Sequence, residues 1–309
     1  MELNNVKLDW ALILEGEIKH LESIYPDLPV RVSYESVIKE LNKNTIQSRV
    51  ILNGINVAAY SFIKESSELK DRLYGSVGFT DIAFATDERI SNLLSWLTSI
   101  SRNRKKRLML NNIFNGGELS ESVLVRMGFK KFARDRMQLY LDGSFPMTPG
   151  NIDERFIQVP ADRIDIGGYA DAEFRSFAGT ADEILFNSSD RGQRVEFVMS
   201  LFKGKFGEII AGSSIILSLN RQIAGSVITT HQQTFTDVKT ALILDFFVTP
   251  EFRGKGLGRT LLTNSLILLR NLGYERCILW VSESNPVRRL YENIGFDSAS
   301  DMKEIFYYI

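Results

Sequence analysis

Two periodicities of apolar residues alternate along the chain, and their order sets the expected elements. Leu12, Ile13, Ile18, Leu21 and Ile24 recur at helical spacing until Tyr25-Pro26, where proline forbids continuation, so the first element is an amphipathic helix. A second helical segment, Ser36 to Leu41, precedes three strand-like runs at Gln47 to Leu52, Val57 to Lys64 and Tyr74 to Ala85. The turn Asn53-Gly54-Ile55-Asn56 joins the first two runs, giving an antiparallel meander. Ile90, Leu93, Leu94, Leu97 and Ile100 line one face of a helix that closes in a basic end, Arg102 to Arg107. Leu108 to Phe114 is expected as a strand, Glu118 to Met127 as a helix stopped by Gly128, and Arg136 to Leu141 as the strand that ends this half.

Gly143, Pro146, Pro149 and Gly150 cluster between Asp142 and Asp153 without periodic apolar residues, which places a boundary there and predicts domains 1–145 and 151–309. The second half repeats the order of the first. A short strand at Phe156 to Val159 leads to helices at Ile164 to Phe177 and Arg191 to Phe202, then strands at Glu208 to Leu219, Ile223 to Gln232 and Ala241 to Val248. A helix at Gly258 to Leu272, a strand at Cys277 to Ser282, a helix at Pro286 to Ile294 and a strand at Glu304 to Ile309 complete it. Leu124 to Phe129 also matches Leu290 to Phe296 in a shared Gly-Phe ending, each after the penultimate strand of its half, so the halves read as a diverged internal duplication.

Composition narrows the chemistry. With 44% hydrophobic and 24% charged residues over 309 positions, the chain suits two folded domains with sizeable cores. Thirty-seven Lys+Arg against 38 Asp+Glu leave a formal charge of -1, so no global field draws it to nucleic acid or an anionic membrane. The run Arg102, Arg104, Lys105, Lys106, Arg107 reads as a solvated helix end. One cysteine and two histidines exclude an internal disulfide and the usual zinc ligand set, so no metal is expected. Cys277 reads as a small core residue and His231 as a surface histidine. The N-terminal stretch lacks the pattern of a secretion signal and no apolar run approaches membrane-spanning length, so a soluble, cytoplasmic protein is expected.

Local positive charge is concentrated in Phe246-Phe247-Val248-Thr249-Pro250-Glu251-Phe252-Arg253-Gly254-Lys255-Gly256-Leu257-Gly258-Arg259-Thr260, where an apolar strand passes through a basic glycine loop into a helix. Glycines at 254, 256 and 258 let backbone amides turn inward, and the helix adds its free N–H groups, which together suit a diphosphate. Neither the dinucleotide fingerprint nor a Walker loop fits the register. Arg253-x-x-Gly256-x-Gly258 after Val248-Thr249-Pro250 instead resembles the acetyl-CoA loop of the GNAT superfamily of N-acyltransferases, over roughly Phe156 to Ile309.

The resemblance implies two tandem GNAT-like α/β (α+β) domains, each a mixed, mostly antiparallel central sheet flanked by helices, in a double-domain arrangement similar to mycothiol synthase. It implies acetyl-CoA as cosubstrate, held by the loop Arg253, Gly254, Lys255, Gly256, Leu257, Gly258, Arg259 and Thr260, and by Phe247 and Val248 along the pantetheine. The amide of Val248 would polarise the carbonyl. Tyr291, in register with Gly295-Phe296, becomes the acid that protonates the departing thiolate. Asn285, one residue nearer Tyr291 than the family's usual asparagine, would hold the coenzyme arm. The base that takes the ammonium proton is Asp245, with Glu208 as second candidate. The acceptor would be a small-molecule amine or a peptide N-terminus. In the first half, Asp87 and Glu88 stand without glycines where the phosphate loop would be, and Leu124 and Val125 replace tyrosine, so that domain resembles one that has lost catalysis. A non-catalytic acyl-CoA sensor or scaffold is the alternative from another class.

Overall fold

A computed structural model describes residues 8–66, 69–111, 113–142, 148–299 and 304–308. In chain order the first stretch carries α1 (Trp10–Ile24), α2 (Val30–Asn42), β1 (Gln47–Asn53), β2 (Asn56–Glu65), β3 (Arg72–Phe79), α3 (Asp87–Arg104), β4 (Arg107–Asn111), α4 (Gly117–Arg126) and β5 (Lys130–Tyr140). It continues with β6 (Ile157–Gln158), α5 (Ile166–Phe177), α6 (Ala181–Phe186), α7 (Arg191–Phe202), β7 (Ile215–Leu219), β8 (Gln222–Gln232) and β9 (Thr240–Val248). Then come α8 (Leu257–Asn271), β10 (Arg276–Ser282), α9 (Arg288–Ile294), β11 (Asp297–Ser298) and β12 (Glu304–Tyr308).

Two compact units result, Met1–Ala133 with Glu304–Ile309, and Arg134–Lys303. In the first, neighbouring strands pair in the order β1, β2, β3, β4, β12, with antiparallel, antiparallel, parallel and antiparallel ladders. In the second, β7, β8, β9, β10 and β5 repeat that succession of ladders. Each sheet is therefore mixed and mostly antiparallel, as expected.

The units differ from the domains read from sequence in which strand belongs to which. β5, expected to end the first domain, pairs from Arg134 to Tyr140 with β10, and its Met137 and Leu139 sit in the core of the second unit. The chain's last strand, expected in the second domain, pairs with β4, and its Tyr307 is buried in the core of the first. Turn residues between 142 and 153 mark a connection in the chain; they carry no information on which sheet the flanking strand joins. Gly143 and Pro146 of that cluster, the extreme N-terminus and Ile309 lie outside the described residues.

Local chemistry accounts for the other departures. The run read as a strand to Ala85 stops at Phe79, because the Asp81 side chain accepts from Ala83 N at 2.8 Å and starts a 3₁₀ turn. The run read as a strand from Glu208 becomes one only at Ile215. Between an isolated Ile209↔Thr230 bridge and that strand, Ser214 Oγ accepts from Thr229 N at 3.0 Å and Ser213 Oγ lies 2.6 Å from Thr229 Oγ1, so side chains interrupt the ladder there. α6 is too short for a periodic signal; it is fixed by Thr180, whose Oγ1 accepts from Glu183 N at 3.3 Å. Among the described residues no helix is long and apolar enough to cross a membrane.

Candidate functional site

The second sheet opens at one place. β9 and β10 pair only over Thr240↔Arg276, Ala241↔Cys277 and Leu242↔Ile278. Beyond these pairs Leu244 is an extra residue in β9, between Ile243↔Thr229 and Asp245↔Ile228 of its other neighbour. A bulge bends its strand, and no further ladder joins β9 to β10 among the described residues, while β10 keeps β5 as partner to Ser282 and β9 keeps β8 to Val248. The strands fork into a cleft of about 540 Å³.

Phe246, Phe247 and Val248 line one arm of the fork and Asn285, Pro286, Val287 and Leu290 the other; Ser176, Phe177 and Thr180 close its side. Arg253, Gly254, Gly256, Leu257, Gly258 and Arg259 form its mouth. Gly254 and Gly256 have φ of +74° and +79°, and a Cβ there would meet nothing within 4 Å. Glycine is needed for the backbone conformation, and the space beside it is open. Gly256 is also the N-cap of α8 and supplies no side-chain cap, so the first amides of a 15-residue helix have no internal acceptor. Arg259 makes no ion pair among the described residues. Open glycines, uncapped amides and an available guanidinium suit a diphosphate.

Other loop side chains are occupied or turned away. Arg253 Nε donates to Val248 O at 3.0 Å and its Nη2 to Ser176 O, so this guanidinium braces α5 against the end of β9. Lys255 Nζ donates to Glu251 O at 3.1 Å, and Lys255 does not line the cleft. Thr260 faces Gly150, whose Cβ would come within 2.7 Å of Thr260 Oγ1, and it too stands off the cleft.

The first unit has the same elements without the opening. There β3 and β4 separate after Gly75↔Leu110, then close again at a parallel Gly78↔Phe114 bridge, with Phe79 N donating to Phe114 O at 3.0 Å. The N-terminus of α3 is capped by Thr86, which accepts from Arg89 N at 3.3 Å, beside Asp87 and Glu88. Fork and anion site are both missing from its described residues.

The candidate acid and base do not themselves line the cleft; they adjoin Phe246 and Leu290, which do, and lie on opposite faces of the sheet. Tyr291 is buried on α9, its ring packed on Phe246 (5.9 Å between centroids) and Phe296 (5.8 Å). Its hydroxyl donates to no acceptor among the described residues. Burial, then the charges of Asp182 and Asp245, raise its pKa far above the ordinary phenol value. Asp245 faces α5 on the other side of β9. Its Oδ2 accepts from the Tyr169 hydroxyl at 2.6 Å, which also lies 2.9 Å from Ser226 Oγ. Burial pushes the Asp245 carboxyl up to about 6, although the Tyr169 hydroxyl and the Phe246 amide oppose the rise. Glu173, one turn after Tyr169, is raised well above the carboxylate range by burial and then by Asp245 itself, against the pull of Arg194.

Glu208 is placed elsewhere. It is exposed, and its carbonyl accepts from His231 N at 3.0 Å; His231 pairs with Ala241. Ala241 is seven residues from Val248, roughly 23 Å along an extended strand, so Glu208 cannot share this cleft. Sequence reading missed Tyr169, Glu173 and Asp182, which come from helices more than sixty residues before β9 or about ninety before β10 and carry no local motif.

Residues 187–296 match the model of the Acetyltransferase (GNAT) family. Over 125 residues the chain is 30% identical to the (ribosomal protein bS18)-alanine N-acetyltransferase of Haemophilus influenzae, covering 40% of this chain and 80% of that enzyme. A solved GCN5-related N-acetyltransferase from Sphaerobacter thermophilus shares the fold with a TM-score of 0.56 and 13% identity, over 88% of this chain and 85% of that one. A tandem GNAT protein from the clavulanic acid biosynthesis pathway matches with a TM-score of 0.50 and 13% identity, over 85% and 82% of the two chains.

Proposed function

Because the chain belongs to the GNAT family of N-acetyltransferases, we propose that its second unit transfers acetyl from acetyl-CoA to a primary amine by direct attack, and that the first unit takes no part in the chemistry. The observation that carries this reading is the β9/β10 fork ending at the uncapped start of α8, found in the second unit and closed in the first. The amides of residues 257–259 and the Arg259 guanidinium would hold the diphosphate, and the β9 edge at Phe247 and Val248 the pantetheine. The thioester supplies the activated acetyl group. Tyr291 keeps its proton until thiolate charge develops, and Asp245 takes the proton of the attacking amine, directly or through water. The acceptor is a small-molecule amine or a peptide N-terminus. The second class fits this family because the H. influenzae relative is named for an alanine of a ribosomal protein.

Free-thiol release from acetyl-CoA with spermidine, glucosamine and a tripeptide beginning with alanine tests the reaction; binding of acetyl-CoA without release under any of them would favour a sensor. Calorimetry should give one acetyl-CoA per chain. Gly256→Glu puts an anion and a Cβ at a left-handed position among the amides, so it should abolish that binding with little change in fold, the loop being exposed. A second equivalent surviving Gly256→Glu would return a coenzyme site to the first unit.

The base assignment has its own signature in pH. With its carboxyl pushed up to about 6, Asp245 is protonated and unable to accept below that value, so kcat/KM should rise with pH through a limb near 6. Asp245→Asn should remove the limb and lower the plateau by about 10²-fold or more. The same shift predicts stability of the opposite sign. A carboxyl whose folded pKa exceeds its unfolded one favours the fold most at low pH, so ionised Asp245 is destabilising, and Asp245→Asn should unfold at higher temperature than wild type at pH 8. An unmoved limb in Asp245→Asn would dismiss it as the base.

A further inference from the structure

Asp182, on α6, is held by side chains from the other arm of the fork. Its Oδ1 accepts from Ser282 Oγ and its Oδ2 from Asn285 Nδ2, both at 2.7 Å, and Arg134 Nε stands 4.0 Å away. Its side chain is 13% exposed, so this carboxylate has given up most of its hydration for two neutral donors and one cation. A clip of α6 to β10 alone would not require a charge there.

The connections beyond Asn285 supply a reason. With its Nδ2 fixed by Asp182, the Asn285 side chain turns its Oδ1 to Val287 N, 3.1 Å away. Val287 is the N-cap of α9, and its carbonyl accepts from Tyr291 N at 3.3 Å. A helix of seven residues does not hold its own place, so its start must be fixed from outside. Arg288 Nη2, donating to Asp135 Oδ2 at 2.7 Å, is the other anchor. Asp182 also acts on Tyr291 through space. The groups bearing on the phenol are Asp182, Asp245, the Cys277 thiol and, in the opposite sense, Arg134, with Asp182 first among them after burial.

We propose that Asp182 is a positioning residue of the transfer reaction: through Asn285 it sets the first turn of α9, and so the place of the Tyr291 hydroxyl at the fork. Asn285, which also lines the cleft, thereby acts on the enzyme's own helix. The inference rests on Tyr291 being the acid.

Four variants test it: Asp182→Asn, Asp182→Ala, Tyr291→Phe, and Asp182→Asn with Tyr291→Phe. Coenzyme A affinity, by calorimetry, should stay within about two-fold in all four, because Asp182 does not line the cleft. With whichever of the three amines turns over, kcat should fall roughly 10-fold in Asp182→Asn, which keeps one acceptor oxygen, and up to about 100-fold in Asp182→Ala, the scale of a displaced catalytic group. The third readout needs no acceptor. In crystal structures of wild type and Asp182→Asn, the first turn of α9, and with it the Tyr291 hydroxyl, should be displaced in the variant. A Tyr291 hydroxyl at its wild-type place, or kcat and coenzyme affinity falling together, would overturn the proposal and leave Asp182 as a clip for α6. A Tyr291→Phe enzyme with wild-type turnover would instead overturn the acid reading itself, and this inference with it.

Discussion

Tyr291→Phe is expected to leave coenzyme affinity and thermal stability close to wild type while kcat falls by about 10²–10⁴-fold, the range of a lost general acid. Both halves of this expectation come from the surroundings of the ring. Phenylalanine fills the same space against Phe246 and Phe296, and the hydroxyl it lacks has no acceptor among the described residues, so no internal hydrogen bond is broken. A structural tyrosine in such a place would be indifferent to the change. The hydroxyl is instead kept protonated by burial and by two neighbouring carboxylates. Keeping that proton through the physiological range favours a group that must donate just as sulfur begins to leave. Steady-state kinetics with a responding amine decides the matter. A variant within a few-fold of wild-type kcat would return the acid role to water or another group.

The cleft's mouth was legible in the sequence because each of its requirements is local. Left-handed backbone at positions 254 and 256 calls for glycine, and a helix start that must leave its amides open calls for a residue with no capping side chain. The fork was not legible, since its opening depends on one extra residue, Leu244, seen only against β8. Nor was the closure of the first unit by Gly78 and Phe114, although its acids at 87 and 88 already argued against a phosphate. Asp245 could be named from its strand; Tyr169 and Glu173, which surround it, could not, because an amphipathic helix shows which residues are buried and not which strand they meet. Glu208 failed for a related reason. A strand assigned seven residues too early joined it to β7, whereas it stands beside an isolated Ile209↔Thr230 bridge at the end of β8 away from the cleft.

A fragment of residues 151–309, the domain as the turn signals delimit it, is expected not to fold, whereas 134–309 should fold and bind acetyl-CoA. The shorter fragment lacks β5, which contributes seven paired residues along β10 and buries Met137 and Leu139, with Leu141 just after it, in the core beneath α8. Three such side chains are worth about 1.5–3 kcal/mol each. That sum approaches the roughly 5–15 kcal/mol that holds a whole domain together, before counting the exposed edge of β10. Asp135 goes with the strand, and with it the partner of Arg288 that anchors α9, so even a partly folded fragment should lose activity before it loses the phosphate loop. The converse deletion strikes the other unit. A chain ending at residue 303 loses β12, whose Tyr307 is 3% exposed in the core with Leu108 and Leu110, and whose ladder covers β4 from Met109 to Asn111. The first unit should then unfold several degrees earlier, as expected for a loss of about 2–4 kcal/mol, while acetyl-CoA binding at the second persists. Circular dichroism melts and coenzyme calorimetry on the three chains give the answer, and a 151–309 fragment with cooperative unfolding and wild-type affinity would show that β5 is dispensable to the unit whose core it enters.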